Sequence, residues 1–185
     1  MYNSFDELKV ACEQCNKCKL SETRTNLVFG VGNPRADILF VGEGPGENED
    51  LQGQPFVGRS GQLLDKMLAE IGLSRDENIY IANIVKCRPP QNRDPSPAEQ
   101  SVCIEWLNEQ IKFIQPKIVV CLGRIASQVF IDKKFSVTKE HGRFIEREGY
   151  YLMGTFHPAA LLRNPNNKPL AEADFQKIKE KLNGI

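Results

Sequence analysis

The sequence predicts an α/β protein, a parallel β-sheet covered by helices on both faces. Three observations carry that expectation. Short, almost wholly apolar runs recur along the chain, as strands buried on both sides require. Stretches with apolar residues at helical spacing alternate with those runs, as crossovers between parallel strands do. With 185 residues and 41% hydrophobic content, the chain suits one domain over residues 1–185 with a core of its own.

Taken in order, Phe5 to Gln14 carries Phe5, Leu8 and Cys12 at helical spacing, with Ser4 as an N-cap. Leu20 to Arg35 is polar and punctuated by glycine, and is expected to wrap over the surface. Ile38-Leu39-Phe40-Val41 reads as the first buried strand, running into Gly42-Glu43-Gly44-Pro45-Gly46. Gly53 to Gly58 is a second turn-rich loop, and Gly61 to Ile71 an amphipathic helix ended by Gly72. Asn78 to Val85 is the second strand, followed by a basic, proline-stiffened loop from Lys86 to Pro95. Ser96, Pro97 and Glu99 have the spacing of a capping box at the start of a helix that Pro116 stops. Lys117 to Leu122 is the third strand, Ile125 to Ile131 a short helix, and Phe135 to Tyr151 a hairpin or ragged loop. Tyr151 to Phe156 is the fourth strand, ending at His157, and Leu170 to Leu182 is the closing helix.

The chain has 24 basic and 24 acidic side chains, so no global field draws it to a polyanion or a membrane. Nucleic-acid binding would need a local basic patch. No apolar run approaches the ~18 residues of a spanning helix. The polar, acidic start MYNSFDELKVACEQC is unlike a signal peptide. A cytoplasmic location is the expectation, and structural disulfides are rare there. The six cysteines, Cys12, Cys15, Cys18, Cys87, Cys103 and Cys121, therefore point to metal before disulfides. Cys15 and Cys18 form a Cys-x-x-Cys pair, and Cys87 and Cys103 each sit beside a break that can return them to it. Four thiolates suit zinc or an iron–sulfur cluster. Spacing does not choose between them, although Cys87 and Cys103 are far apart for the second pair of a zinc site. Cys121 lies in an apolar strand as a small hydrophobe, and Cys12 is a spare that sits near enough to substitute.

Ligands of open α/β sheets bind past the carboxyl ends of the strands. Glu43 and Glu49 follow the first strand, Asn83 ends the second, His157 follows the fourth, and Phe56 lies in the neighbouring loop. Singly each has an ordinary structural explanation; on one edge of one sheet they form a candidate pocket.

GEGPGENED at Gly42–Asp50, GQPFVGRSGQLL at Gly53–Leu64, NIVKCRPPQNRDP at Asn83–Pro95 and HPAALL at His157–Leu162 resemble family 4 uracil-DNA glycosylases, the iron–sulfur enzymes of bacteria and archaea. The resemblance runs from about Cys15 to the C-terminus. It implies an α/β/α sandwich with a four-stranded parallel sheet. It also implies hydrolysis of the bond between uracil and deoxyribose in single- or double-stranded DNA by a monomer. Cys15, Cys18, Cys87 and Cys103 match the ligands of a 4Fe–4S cluster with a structural or DNA-positioning role. Phe56 resembles the stacking residue, Asn83 the amide that reads uracil, and His157 the donor to uracil O2, helped by backbone around Gly42, Glu43 and Gly44. Glu49 is the candidate for orienting water, and Glu43 for the pocket wall.

The better-known family 1 enzymes have aspartate where this chain has Gly44 and tyrosine where it has Gly46. A related group traps uracil through a histidine in an arginine-rich insert after the second strand; PPQNRDP has neither, so covalent trapping is not expected. Lys86, Arg88, Arg93 and Arg163 are candidates for phosphates, with Leu161, Leu162 or Arg163 as a wedge into the vacated stack. Two alternatives remain open at this stage. One is a non-catalytic iron–sulfur nucleic-acid binding protein. The other is nucleotide binding by the GEGPG loop, which lacks the lysine and hydroxyl of a phosphate loop.

Overall fold

The computed structural model describes residues 1–185. Six strands form one sheet: β1 (Val31–Gly32), β2 (Ile38–Gly42), β3 (Ile79–Asn83), β4 (Ile118–Leu122), β5 (Phe144–Arg147) and β6 (Tyr150–Thr155). Nine α-helices accompany them: α1 (Phe5–Glu13), α2 (Leu20–Thr23), α3 (Glu47–Gln52), α4 (Arg59–Glu70), α5 (Pro97–Ile114), α6 (Arg124–Phe130), α7 (Val137–Glu140), α8 (Pro158–Arg163) and α9 (Lys168–Asn183).

The sheet order is β1-β3-β2-β4-β6-β5. The inner four strands are parallel, and β1 and β5 add antiparallel edges. The expected four-stranded parallel sheet is therefore the centre of a mixed six-stranded one. The two edges escaped prediction for different reasons. A two-residue β1 carries no alternation to detect, and β5 belongs to the stretch read as a hairpin or ragged loop, half of which is a true hairpin with β6.

Alternation along each strand divides the core in two. Leu39, Val41, Tyr80, Ala82, Val119 and Cys121 face α1, α5 and α6. Ile38, Phe40, Ile79, Ile81, Ile118 and Val120 face α4 and α9. Every residue of β2, β3 and β4 is buried, as a sheet covered on both sides demands. The helix signals held: Ser4 Oγ accepts from Glu7 N–H, and Ser96 with Glu99 forms the reciprocal capping box of α5.

The Leu20–Arg35 connection is more than a surface wrap. Leu20, Val28 and Phe29 are buried in the core, and Asp50 Oδ1 accepts from the backbone N–H groups of Thr25 and Asn26. That buried carboxylate fastens α3, which follows the glycine-rich loop, to the segment that leaves the Cys-x-x-Cys pair. No helix is long and apolar enough to cross a membrane.

Candidate functional site

A pocket of about 310 Å³ opens at the carboxyl edge of the parallel strands. The chain leaves β2 for β3 on one side and returns to β4 on the other, so the pocket lies where strand order reverses, the usual place for a ligand in an open sheet. Glu43, Gly44, Glu49, Phe56, Asn83 and His157 line it, with Arg93 and Arg163 at its rim. The residues expected to bind or transform the base are thus brought together, except that Gly42 lies behind the wall, paired with Asn83.

Each is held by its own local structure. Asn83 is the last residue of β3 and pairs in register with Gly42. A Cβ on Gly42 would stand 2.5 Å from Asn83 Oδ1 and 2.8 Å from the Phe56 ring, so only glycine admits both groups. Phe56 has a left-handed backbone (φ 52°), which Arg75 stabilises by donating to the carbonyls of Pro55 and Phe56 at 3.0 and 2.8 Å. Its ring stacks on the His157 imidazole, with centroids 5.3 Å apart. His157 is the N-cap of α8, its Nδ1 accepting from Ala159 N–H at 3.0 Å. Gly123, at φ 89°, lets the chain pass under His157, where a Cβ would come within 2.9 Å of the histidine's own. Glu49 belongs to α3 rather than to a loop, because the glycine-rich turn ends at Gly46 and the helix starts at once.

The electrostatics are unusual in this one pocket. Asn83 Oδ1 is buried without a hydrogen-bond partner. Burial, aided by the Arg163 guanidinium, lowers His157 to about 4. With Nδ1 occupied as an acceptor, the neutral ring carries its proton on Nε2, as a donor. Burial raises Glu43 to about 7, and the neighbouring Asp94 carboxylate adds to the rise against the pull of Arg124 and Arg163.

The expected DNA contacts divide. Lys86 is fully buried, and its Nζ donates to Asn83 O and Gln110 Oε1. It cannot meet a phosphate, because the chain after β3 turns its side chain inward. Leu161 is likewise in the core, whereas Leu162 is 39% exposed and Arg163 is exposed beside it. Arg93 is exposed, but its guanidinium pairs with both oxygens of Glu99 and anchors the loop to α5. Arg88 reaches the surface, where its Nε donates to Asn92.

Cys15, Cys18, Cys87 and Cys103 line a second cavity, on the other side of β3. Cys12 does not join them; it is buried in the core, where burial pushes its thiol up to about 12. No three acids, histidines or thiols converge as ligands of a single ion would; the four thiols instead surround a space. Donors are already aimed at three of them. Trp106 Nε1 donates to Cys15 Sγ and Arg24 to Cys87 Sγ, both at 3.3 Å, and Lys86 N–H to Cys103 Sγ at 3.2 Å. Such bonds stabilise and tune sulfur as a metal ligand, so the donor set fits a thiolate-held metal centre. Burial holds Cys103 at about 11, so metal loading would release protons.

Sequence reasoning missed several supporting residues. Arg24 donates to Cys15 O as well as to Cys87 Sγ, yet it lies in a stretch with no periodicity. Arg75 and Asp94 act through contacts distant in sequence. Trp106 lies on α5, and only the fold shows its ring nitrogen facing a thiol.

Comparison with known proteins agrees with this geometry. A model of the uracil DNA glycosylase superfamily matches residues 29–183. The type-4 uracil-DNA glycosylase of Sulfurisphaera tokodaii is 47% identical, covering 96% of this chain and 84% of that protein. Those of Thermotoga maritima and Archaeoglobus fulgidus are 46% and 45% identical, covering 97% and 96% of this chain and 96% and 92% of their own. A pocket at the strand tips, four thiols around one cavity and these full-length matches place the chain in the uracil-DNA glycosylase superfamily, among its type-4 members.

Proposed function

We propose that this protein excises uracil from DNA by hydrolysing its N-glycosidic bond, leaving an abasic site. The observation that carries the reading is the buried, unpartnered Oδ1 of Asn83 in a pocket floored by stacked aromatic rings. A stacked base cannot reach such a pocket, so the nucleotide must be everted, at a cost of a few kcal/mol. Phe56 offers the everted ring a π face. Asn83 accepts from uracil N3–H and donates to O4; cytosine presents the opposite pattern and would leave buried groups unpaired, costing about 1–3 kcal/mol for each.

Bond cleavage puts negative charge on uracil, largely at O2, and positive charge on the sugar. His157, neutral and protonated on Nε2, is the donor for O2, with the backbone around Glu43 and Gly44 beside it. With its pKa lowered to about 4, it is neutral around pH 7, so the donor does not depend on an imidazolium. Glu49 orients the water that completes hydrolysis. Glu43 forms the wall of the pocket. Arg88 and Arg163 meet the phosphates, and Leu162 fills the vacated stack.

Cys15, Cys18, Cys87 and Cys103 would hold a 4Fe–4S cluster. Bound there, it supplies a rigid cross-link between the N-terminal segment, the loop after β3 and α5. Anaerobically purified protein should be brown, with near four irons per chain, whereas a colourless, zinc-loaded protein would overturn this assignment.

The deciding experiment is release of free uracil from a uracil-containing oligonucleotide; no release at enzyme excess would sink the reading. In the same assay, His157→Ala should slow base release by roughly 10²–10³-fold, and a loss under threefold would place the donor elsewhere. Asn83→Asp should weaken discrimination against cytosine, because a carboxylate cannot donate to O4; unchanged selectivity would exclude the amide as the reader.

Glu43 gives a test that needs no substrate. Its folded pKa, about 7, lies above the ordinary 4.5, so the folded state binds a proton that the unfolded chain has released. Stability therefore falls as pH rises from about 4.5 through 7. Glu43→Gln should be more stable than the parent at pH 8, with the advantage gone below about pH 4.5. Denaturation midpoints that stay parallel at all pH values would contradict it.

A further inference from the structure

Lys86 is fully buried. Lysine is almost never fully buried without partners, and a leucine or methionine would fill its volume with no polar nitrogen to satisfy. Its two acceptors, Asn83 O at 3.0 Å and Gln110 Oε1 at 2.6 Å, are neutral oxygens. Gln110 in turn donates from Nε2 to Phe29 O at 2.9 Å. The Lys86 backbone is engaged as well, donating to Cys103 Sγ and accepting from Val28 N–H at 2.7 Å.

The need for the Asn83 bond follows from the sheet. Beyond the paired ends of the strands, Ile84 N–H donates to Gly42 O, so Ile84 faces β2 and Asn83 faces the other neighbour, β1. But β1 pairs only Val31 with Ile81 and Gly32 with Tyr80. It stops short of Asn83, whose carbonyl would be buried with no ladder donor on that side. The Lys86 side chain folds back by three residues and supplies it.

We propose that Lys86 is a positioning residue for base recognition. It fixes the backbone of Asn83, and so the direction of its amide, to the framework that carries the thiol site. The proposal rests on the reading of Asn83 given above. It makes the uracil-reading amide and the thiolate centre neighbours through one residue: Lys86 precedes Cys87, bonds Cys103 through its N–H and bonds Asn83 through its Nζ.

The test uses the full chain, purified anaerobically, with metal content and visible absorption measured beside kinetics. Lys86→Met, similar in length but without a donor, should retain metal per chain while kcat/KM for uracil release falls about 10–100-fold, the usual cost of removing a group behind a functional one. The preference for uracil over cytosine should narrow, which loss of stability alone would not cause. Lys86→Arg should recover part of both. Gln110→Met keeps the bond to Asn83 but frees the nitrogen from its second anchor, so it should move both readouts the same way by less, and it decides the matter where Lys86→Met does not fold. Metal-loaded variants with kcat/KM within threefold of the parent and unchanged preference would overturn the proposal, as would a loss that follows metal loss alone. The parent enzyme separates the two readings. If it releases no uracil, the glycosylase reading fails and this inference falls with it; if it is active and the variants are indifferent, only the inference fails.

Discussion

The pocket depends on the absence of one side chain. Gly42 and Asn83 are opposite each other at the tips of adjacent parallel strands, and a methyl group at Gly42 would occupy the space of both Asn83 Oδ1 and the Phe56 ring. Parallel strands bring their ends together at one edge, and glycine there lets an amide and an aromatic ring approach the backbone from opposite elements. The stacked His157 follows from the same packing, since it rests on Phe56. Lose the close approach at Gly42 and the floor, the proposed reader and the proposed donor all shift.

That arrangement is unfavourable for stability. An unpartnered acceptor, a histidine held neutral far into acid and a carboxyl raised toward neutrality occupy one cavity. Orphaned atoms alone do not mark a site. Asp174 Oδ1 and Ser127 Oγ are also buried without partners, but neither lines this pocket, and Asp174 Oδ2 already accepts from Thr155 Oγ1 and pairs with His141 Nδ1. What distinguishes Asn83 is that the residue lines a pocket with room for a small ring. On the proposed reading the bound base supplies what the fold withholds: a donor for Asn83 and an acceptor for His157. Stability forgone in the free protein becomes affinity for one base.

Much of this was legible in the sequence because the signals are local. The apolar runs, the capping box at Ser96 and the strand-end positions of Glu43, Asn83 and His157 depend on neighbours within a few residues. The failures share the opposite character. Lys86 read as a phosphate contact because it sits among Arg88, Arg93 and prolines, and only the inward path of the chain after β3 turns it to the core. Leu161 and Leu162 are adjacent and alike in sequence; which one faces the core depends on how α8 sits against α4. Arg24 bonds a thiol 63 positions away, and no periodicity reports such a contact. Helix α3 was hidden because Glu47, Asn48, Glu49 and Asp50 look like a solvated loop, whereas acids in a first turn suit the helix dipole.

The surface charge argues that recognition lies in the pocket rather than in the field around it. The chain is neutral overall, and two of the four arginines near the rim are matched by carboxylates, Arg93 by Glu99 and Arg124 by Asp94. On the proposed reading that leaves Arg88 and Arg163 to meet phosphates. Two such contacts would confer weak binding with a shallow salt dependence, too little to hold a duplex bent open at a cost of several kcal/mol. On the proposed reading, eversion is then driven mainly by what the base finds once it arrives: the Phe56 face, the Asn83 amide and the His157 donor. A base lacking the N3–H and O4 pattern gains little of that and returns to its stack. Weak electrostatic holding and a demanding pocket are, on the proposed reading, parts of one design, in which selectivity is exerted on the everted base before any bond is broken.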